Sequence, residues 1–172
     1  MLTRYFLSII LLLSIIACSV TLENKAAVAQ SVNQIESLDF KLPTGKHYRV
    51  AITRDDTVSK NAKPKKIKII GVKNDVAVVL VDTYHSIPGG MSYCQAGSES
   101  FLRVISIASK QPVETFHTKL ESCLDNVELA SPGIKWLPGS SQLVIHWLQG
   151  PEKSGHPETR TLRIGKKGMV KE

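Results

Sequence analysis

From Lys46 to Ile164 the apolar residues come in short alternating or β-branched runs parted by turn-forming residues, with no long 3.6-residue period. Period-two alternation places one face of a strand in a core and the other in water, so the chain is constrained to sheets. The C-terminal third constrains it most. Ile134 to Leu137, Gln142 to Leu148 and Glu158 to Ile164 read as three strands. A turn at Pro138 to Ser141 pairs Trp136 with Leu143 and Ile134 with Ile145. A loop over Pro151 to Pro157 pairs Leu143 with Ile164, Ile145 with Leu162 and Trp147 with Arg160. All of these residues fall on one face, and a slip of one residue would scatter them. Arg160 over Trp147 adds a cation–π contact of about 0.5–1 kcal/mol.

The preceding segments follow the same logic. Lys46 to Arg54 is a strand with Tyr48, Val50 and Ile52 on one side, and Asp55 to Pro64 is a polar loop. Lys66 to Lys73 and Val76 to Thr83 form a hairpin about Asn74-Asp75. Its register sets Ile69 opposite Leu80 and Gly71 opposite Val78, with Lys66 and Lys68 pointing away from the apolar face. Phe101 to Ala108 and Val113 to Leu124 pair with Ile105 facing Phe116 and Phe101 facing Leu120. Gln30 to Leu38 and Lys119 to Leu129 leave room for one short helix. The expected fold is all-β: a single antiparallel β-sandwich or barrel-like domain of about eight or nine strands.

The N-terminus sets the compartment. Arg4, the apolar run Phe6 to Ala17 and the small residues that follow read as an export signal over residues 1–29. Two processing sites compete. Ala27-Val28-Ala29 is an A-x-A site, while Ser14-Ile15-Ile16-Ala17-Cys18 resembles a bacterial lipobox. In the second case the signal is 1–17, Cys18 is lipidated and residues 18–37 are a tether, and the resemblance to bacterial lipoproteins implies outer-membrane sorting, with Ser19 after the Cys. Phe6 to Val20 is shorter than the roughly 20 residues that span a bilayer, so the membrane is reached only through that anchor. Residues 38–172 are then one exported domain, periplasmic or extracellular. The chain is 42% hydrophobic, which excludes wholesale disorder.

Cysteine parity follows from export. Of Cys18, Cys94 and Cys123, the first is cleaved off or lipidated, which leaves an even pair in an oxidising compartment. The expected disulfide Cys94–Cys123 closes a loop of about 30 residues, worth roughly 3–4 kcal/mol on the chain-entropy model. Strand register supports it independently. Continuing the ladder places Cys123 near Ser98, four residues from Cys94, with Gly97 free to bend the chain back.

Catalytic signals are weak. No G-x-S-x-G elbow is present, and Gly97-Ser98-Glu99-Ser100 has the wrong order. Asp82 and His85 are close enough in sequence to orient one another but have no nucleophile. Glu99, Glu114, Glu121 and Asp125 show no pairing that marks a glycosidase. The histidines 47, 85, 117, 146 and 156 lack metal-ligand spacing, so no metal or cofactor is expected. His117 and His146 fall on solvent-facing positions of their strands.

Binding features are clearer. The net charge is +7, and removal of Met1 to Ala29 leaves +6. The densest basic run is Lys60, Lys63, Lys65, Lys66, Lys68 and Lys73, which suits an anionic envelope component or another protein. Lysines on a strand edge also discourage aggregation, which is their ordinary structural use. Export and the lack of interleaved aromatics argue against nucleic acid. The loop Tyr84 to Gly97 carries Tyr84, His85 and Tyr93, contains Pro88-Gly89-Gly90, and is pinned by Cys94. The candidate binding residues are therefore Tyr84, His85, Tyr93, Lys63, Lys65, Lys66 and Lys68.

Tyr93-Cys94 followed by a strand is similar, over those few residues, to the small periplasmic lysozyme inhibitors. That resemblance implies a loop that plugs an enzyme. The Ser-Gly-x-x-Tyr loop and Trp-x-Lys-Gly segment of that family are missing from the sequence, and a basic inhibitor lacks charge complementarity to basic lysozymes. The expected function is a non-enzymatic binding module of the envelope or the secreted fraction. The alternatives are a periplasmic inhibitor or immunity-type protein and, behind it, a small hydrolase.

Overall fold

The computed structural model describes residues 35–87, 94, 97–152 and 155–172. The expected signal, both processing sites, Cys18 and Tyr93 lie outside them. The described chain forms ten strands and a short 3-10 turn at Lys166–Gly168. These are β1 (Ile35–Lys41), β2 (His47–Thr53), β3 (Lys66–Lys73), β4 (Ala77–His85), β5 (Ser98–Ser106), β6 (Val113–Ser122), β7 (Glu128–Leu137), β8 (Gln142–Gln149), β9 (Glu158–Ile164) and β10 (Val170–Lys171). The all-β expectation is met. Every pairing is antiparallel, in three sheets ordered β1-β2, β3-β4-β5-β6 and β10-β9-β8-β7.

The sandwich has a third layer. Ala77 and Val79 of β4, with Leu102 and Val104 of β5, pack against Leu143, Ile145, Trp147, Leu162 and Ile164 of the β7–β10 sheet. Their neighbours Val78, Leu80 and Ile105 face the other way, onto Leu38, Phe40, Val50 and Ile52 of the β1–β2 ribbon. The central sheet is therefore covered on both sides. That is why β4 reads Val78-Val79-Leu80-Val81 without alternation, as strands buried on both faces do.

Several registers differ from expectation. The β3–β4 hairpin sets Ile69 opposite Leu80, but a bulge at Ile70 moves Gly71 opposite Val79 rather than Val78. In β5–β6 two bulges shift Phe101 onto Lys119 and Val104 onto Phe116, so neither Ile105–Phe116 nor Phe101–Leu120 is a pair. The β7–β8 pairs Trp136–Leu143 and Ile134–Ile145 form as expected. β8–β9 is displaced by two residues, giving Leu143–Leu162, Ile145–Arg160 and Trp147–Glu158. An even shift keeps every side chain on its face, and the Arg160 guanidinium still lies 5.7 Å from the Trp147 ring centre.

Neither expected helix forms among the described residues. β1 starts at Ile35, within the stretch expected to be tether or helix, because Leu38 and Phe40 complete the ribbon's inner face. Lys119 to Leu129 is the end of β6, a turn and the start of β7. Ser122 and Val127 exchange backbone hydrogen bonds of 2.9 and 3.0 Å, the Ser122 hydroxyl accepts from the Asp125 amide, and Asn126 takes the left-handed φ of 54° that reverses the chain.

Candidate binding surface

Cys94 and Cys123 are bonded, with Cα atoms 5.7 Å apart. The bond closes the open end of the β5–β6 hairpin, where Glu99 pairs with Ser122. Gly97 is needed there for space. A Cβ on it would stand 2.7 Å from Cys123 Cβ and 2.9 Å from Ser86 Oγ. The Ser86 amide donates to Gly97 O at 3.1 Å, and its hydroxyl donates to the buried Glu99 carboxylate at 2.6 Å. This end of the sheet is thus tied by covalent and hydrogen bonds.

Tyr84 belongs to the interior, not to a solvent-facing loop. Even-numbered residues of β4 face the ribbon side, so Tyr84 is 3% exposed and packs edge-on against Phe101 at 6.0 Å. Its hydroxyl donates to Asp82 at 2.7 Å. Burial, reinforced by the Asp82 carboxylate, pushes the phenol far above its ordinary range. As a candidate for ligand contact Tyr84 is corrected to a core residue. The Asp82–His85 pairing also fails. Residues three apart in a strand lie on opposite faces, and His85 is exposed while Asp82 is fully buried.

Asp82 has a different partner. Arg103, 1% exposed, donates from Nε to both Asp82 oxygens at 2.9 Å and from Nη1 to Glu114 at 2.5 Å and Thr53 O at 2.9 Å. Glu114 also accepts the Thr53 amide at 2.8 Å, so the pair clamps the end of β2 to the central sheet. Burial works against the charge on Arg103, but Asp82 and Glu114 outweigh it and the guanidinium is held ionised. The same burial pushes the Asp82 carboxyl up, opposed by Arg103 and Tyr84. Sequence reasoning missed Arg103. The available signal was one charge of each sign inside two apolar runs, Val78 to Asp82 and Phe101 to Ile105.

Lys63, Lys65, Lys66 and Lys68 are all exposed, and among the described residues none makes an ion pair. Lys73 is different, because its ammonium donates to the Ile164 and Gly165 carbonyls. Lys66 pairs with Thr83 and Lys68 with Val81. His85 follows Thr83 by two residues, so it lies on the same sheet face as Lys66 and Lys68. Register thus joins His85 to two of the lysines, on the part of the face where Thr83 Oγ1 and Ser100 Oγ are 3.1 Å apart.

Two of these lysines line separate grooves. Lys63 and Pro64 line an open trough of about 940 Å³ floored by Ser37 and Ala51, with the Asp39–Arg49 ion pair at its wall. Lys68 lines a notch of about 430 Å³ between β3 and β7, walled by Ile70, Leu129, Pro132, Ile134 and Trp136. The Trp136 indole covers Gly71 so closely that a Cβ there would lie 2.5 Å from the ring. Among the described residues no group of His, Cys, Asp and Glu is arranged to hold a metal ion.

Compared with known proteins, the chain matches no family model, no curated protein and no solved structure.

Proposed function

We propose that this is a non-enzymatic binding module of the cell exterior, which docks an anionic partner on Lys66, Lys68 and His85, with Lys63 and Lys65 just before β3 adding to the positive field. The observation that carries this reading is the register that places His85, Lys66 and Lys68, each exposed, on the same side of the sheet, with no carboxylate paired to them among the described residues. Uncompensated cations on a stiff sheet attract anions at long range and hold them as point charges. The disulfide supports an oxidising compartment, and the signal-like N-terminus supports export. A structural use of two of the buried acids also supports it, since Asp82 and Glu114 spend their oxygens on Arg103, Tyr84 and the β2 backbone.

Replacing Lys65, Lys66 and Lys68 together by Glu tests the reading. The wild-type domain should bind anionic vesicles or an immobilised polyanion, and weaken as salt rises. The variant should bind at least about tenfold more weakly at low salt, with an unchanged circular dichroism spectrum. Equal retention of both proteins would remove these lysines from consideration.

A further inference from the structure

The notch beside β3 has an unusual wall. Lys68, Ile69 and Ile70 all line it, although alternate residues of a strand point to opposite faces. Ile70 is the bulged residue, so the notch sits where β3 leaves its regular alternation. β3 is an edge strand and pairs only with β4 among the described residues. The opposing wall is β7, where the ladder to β8 is interrupted between Leu129 and Ile134. The notch thus lies between the edges of two sheets, about 430 Å³ in volume, with aliphatic and indole surface on both sides.

We infer that this notch receives an extended, acidic segment of a partner protein, added as a strand to β3. The inference rests on the anionic-partner reading above and names the partner's class. Lys66 to Ile69 is the part of β3 whose pairing with β4 is unbroken before the bulge, so its outer edge presents regular backbone donors and acceptors. Its side chains alternate: Lys66 and Lys68 are exposed, while Ile67 and Ile69 pack toward the ribbon. The matching strand therefore alternates carboxylates, set against Lys66 and Lys68 on the notch side, with apolar residues that extend the Ile67 and Ile69 face on the ribbon side. A second copy of this domain is disfavoured, because β3 against β3 would bring lysines together next to a bulge.

The test is a titration of ¹⁵N-labelled domain with a short synthetic peptide of alternating Glu and Val. The expected result is saturable amide shifts confined to β3 and to the Leu129 to Trp136 wall. Methylating alternate backbone nitrogens on one edge of the peptide should weaken binding about tenfold, the loss of two or so backbone hydrogen bonds, while the other edge tolerates it. A Lys/Val peptide should fail on the wild type and bind the Lys66→Glu, Lys68→Glu variant. If peptides methylated on either edge bind as well as the parent, strand addition is overturned and charge docking alone stands. If no peptide binds while anionic vesicles still do, the partner is a membrane surface and the inference is wrong. If the charge-reversed variant keeps wild-type affinity for both peptide and vesicles, the anionic-partner reading itself falls.

Discussion

Replacing Arg103 by Met should be among the most damaging single changes in the domain. Arg103 and Asp82 are 1% and 0% exposed, and the Glu114 side chain is 8% exposed. Removal of the guanidinium takes four hydrogen bonds and leaves the Asp82 and Glu114 carboxylates without the cation they share, in a low-dielectric interior. Breaking a buried pair in this way costs about 3–5 kcal/mol, against a total stability of about 5–15 kcal/mol for a typical domain. With an m-value of about 2 kcal/mol/M in urea, the midpoint should fall by about 1.5–2.5 M. Trp147 is buried in the main core, so tryptophan fluorescence of the oxidised protein follows the transition. The mechanism is an orphaned charge rather than lost packing. Replacing Asp82 by Leu, Tyr84 by Phe and Arg103 by Met together should therefore recover the share of the loss that is due to Asp82, while Glu114 keeps the Thr53 amide. A triple variant as unstable as Arg103→Met alone, or a single variant that loses less than about 1 kcal/mol, would refute the reasoning.

Three further outcomes follow from local geometry. Gly71→Ala should destabilise by about 1–3 kcal/mol in the same urea assay, because the Trp136 ring occupies the space of the new methyl group. Replacing Cys94 and Cys123 by Ser should cost about 2–5 kcal/mol, and non-reducing mass spectrometry of the native protein should find no free thiol at either position. At Asp55, burial raises the carboxyl, but bonds from Thr57 and the Lys119 ammonium at 3.1 Å outweigh it and hold the carboxyl below its ordinary value. A lowered folded value gives stability that is present above about pH 4 and lost as pH falls through the folded value. Asp55→Asn should thus be less stable than wild type at neutral pH, and the gap should close under acid; a gap that persists unchanged at low pH would rule out the linkage.

Strand existence was legible where burial is one-sided. β8 alternates Leu143, Ile145 and Trp147 against exposed His146 and Leu148, and its pairing with β7 follows from the turn length. Pairings failed where the backbone departs from the ladder. The β6 bulges fall at Thr115 and Leu120, and neither residue type signals one. Thr115 is held by its hydroxyl, which donates to Val104 O and Gly168 O, the second of these 53 residues away in sequence. β4 was legible as a strand, but not as one covered on both faces, because its second cover comes from β1 and β2 far upstream. At the site, the lysines could be read as exposed from composition. Attaching His85 to them needed the β3–β4 register, and pairing Asp82 with His85 ignored the parity of a strand. Arg103 was hidden because a lone cation in an apolar run has meaning only once its partners on β4, β6 and β2 are placed.

These packing facts bear directly on strand addition. Association is weakened when the receiving surface must first be ordered, so an edge that is already held binds better than a loose one. β3 is held at its C-terminal half, where the Lys73 ammonium grips Ile164 and Gly165 and the Trp136 ring lies on Gly71. Its inner neighbour β4 is buried on both faces and anchored through Asp82 to Arg103. The half that carries Lys66 and Lys68 keeps its outer edge open while its backbone is set by β4. Gly71→Ala alters no lysine and no backbone donor of Lys66 to Ile69; it acts on the Trp136 ring that holds β3 and walls the notch. If the edge works because it is preformed, that substitution should still weaken the Glu/Val peptide, mainly by raising its dissociation rate, and should leave retention on anionic vesicles unchanged. Equal peptide affinity in a measurably destabilised Gly71→Ala protein would mean that the lysine charges alone, and not the ordered edge, carry the interaction.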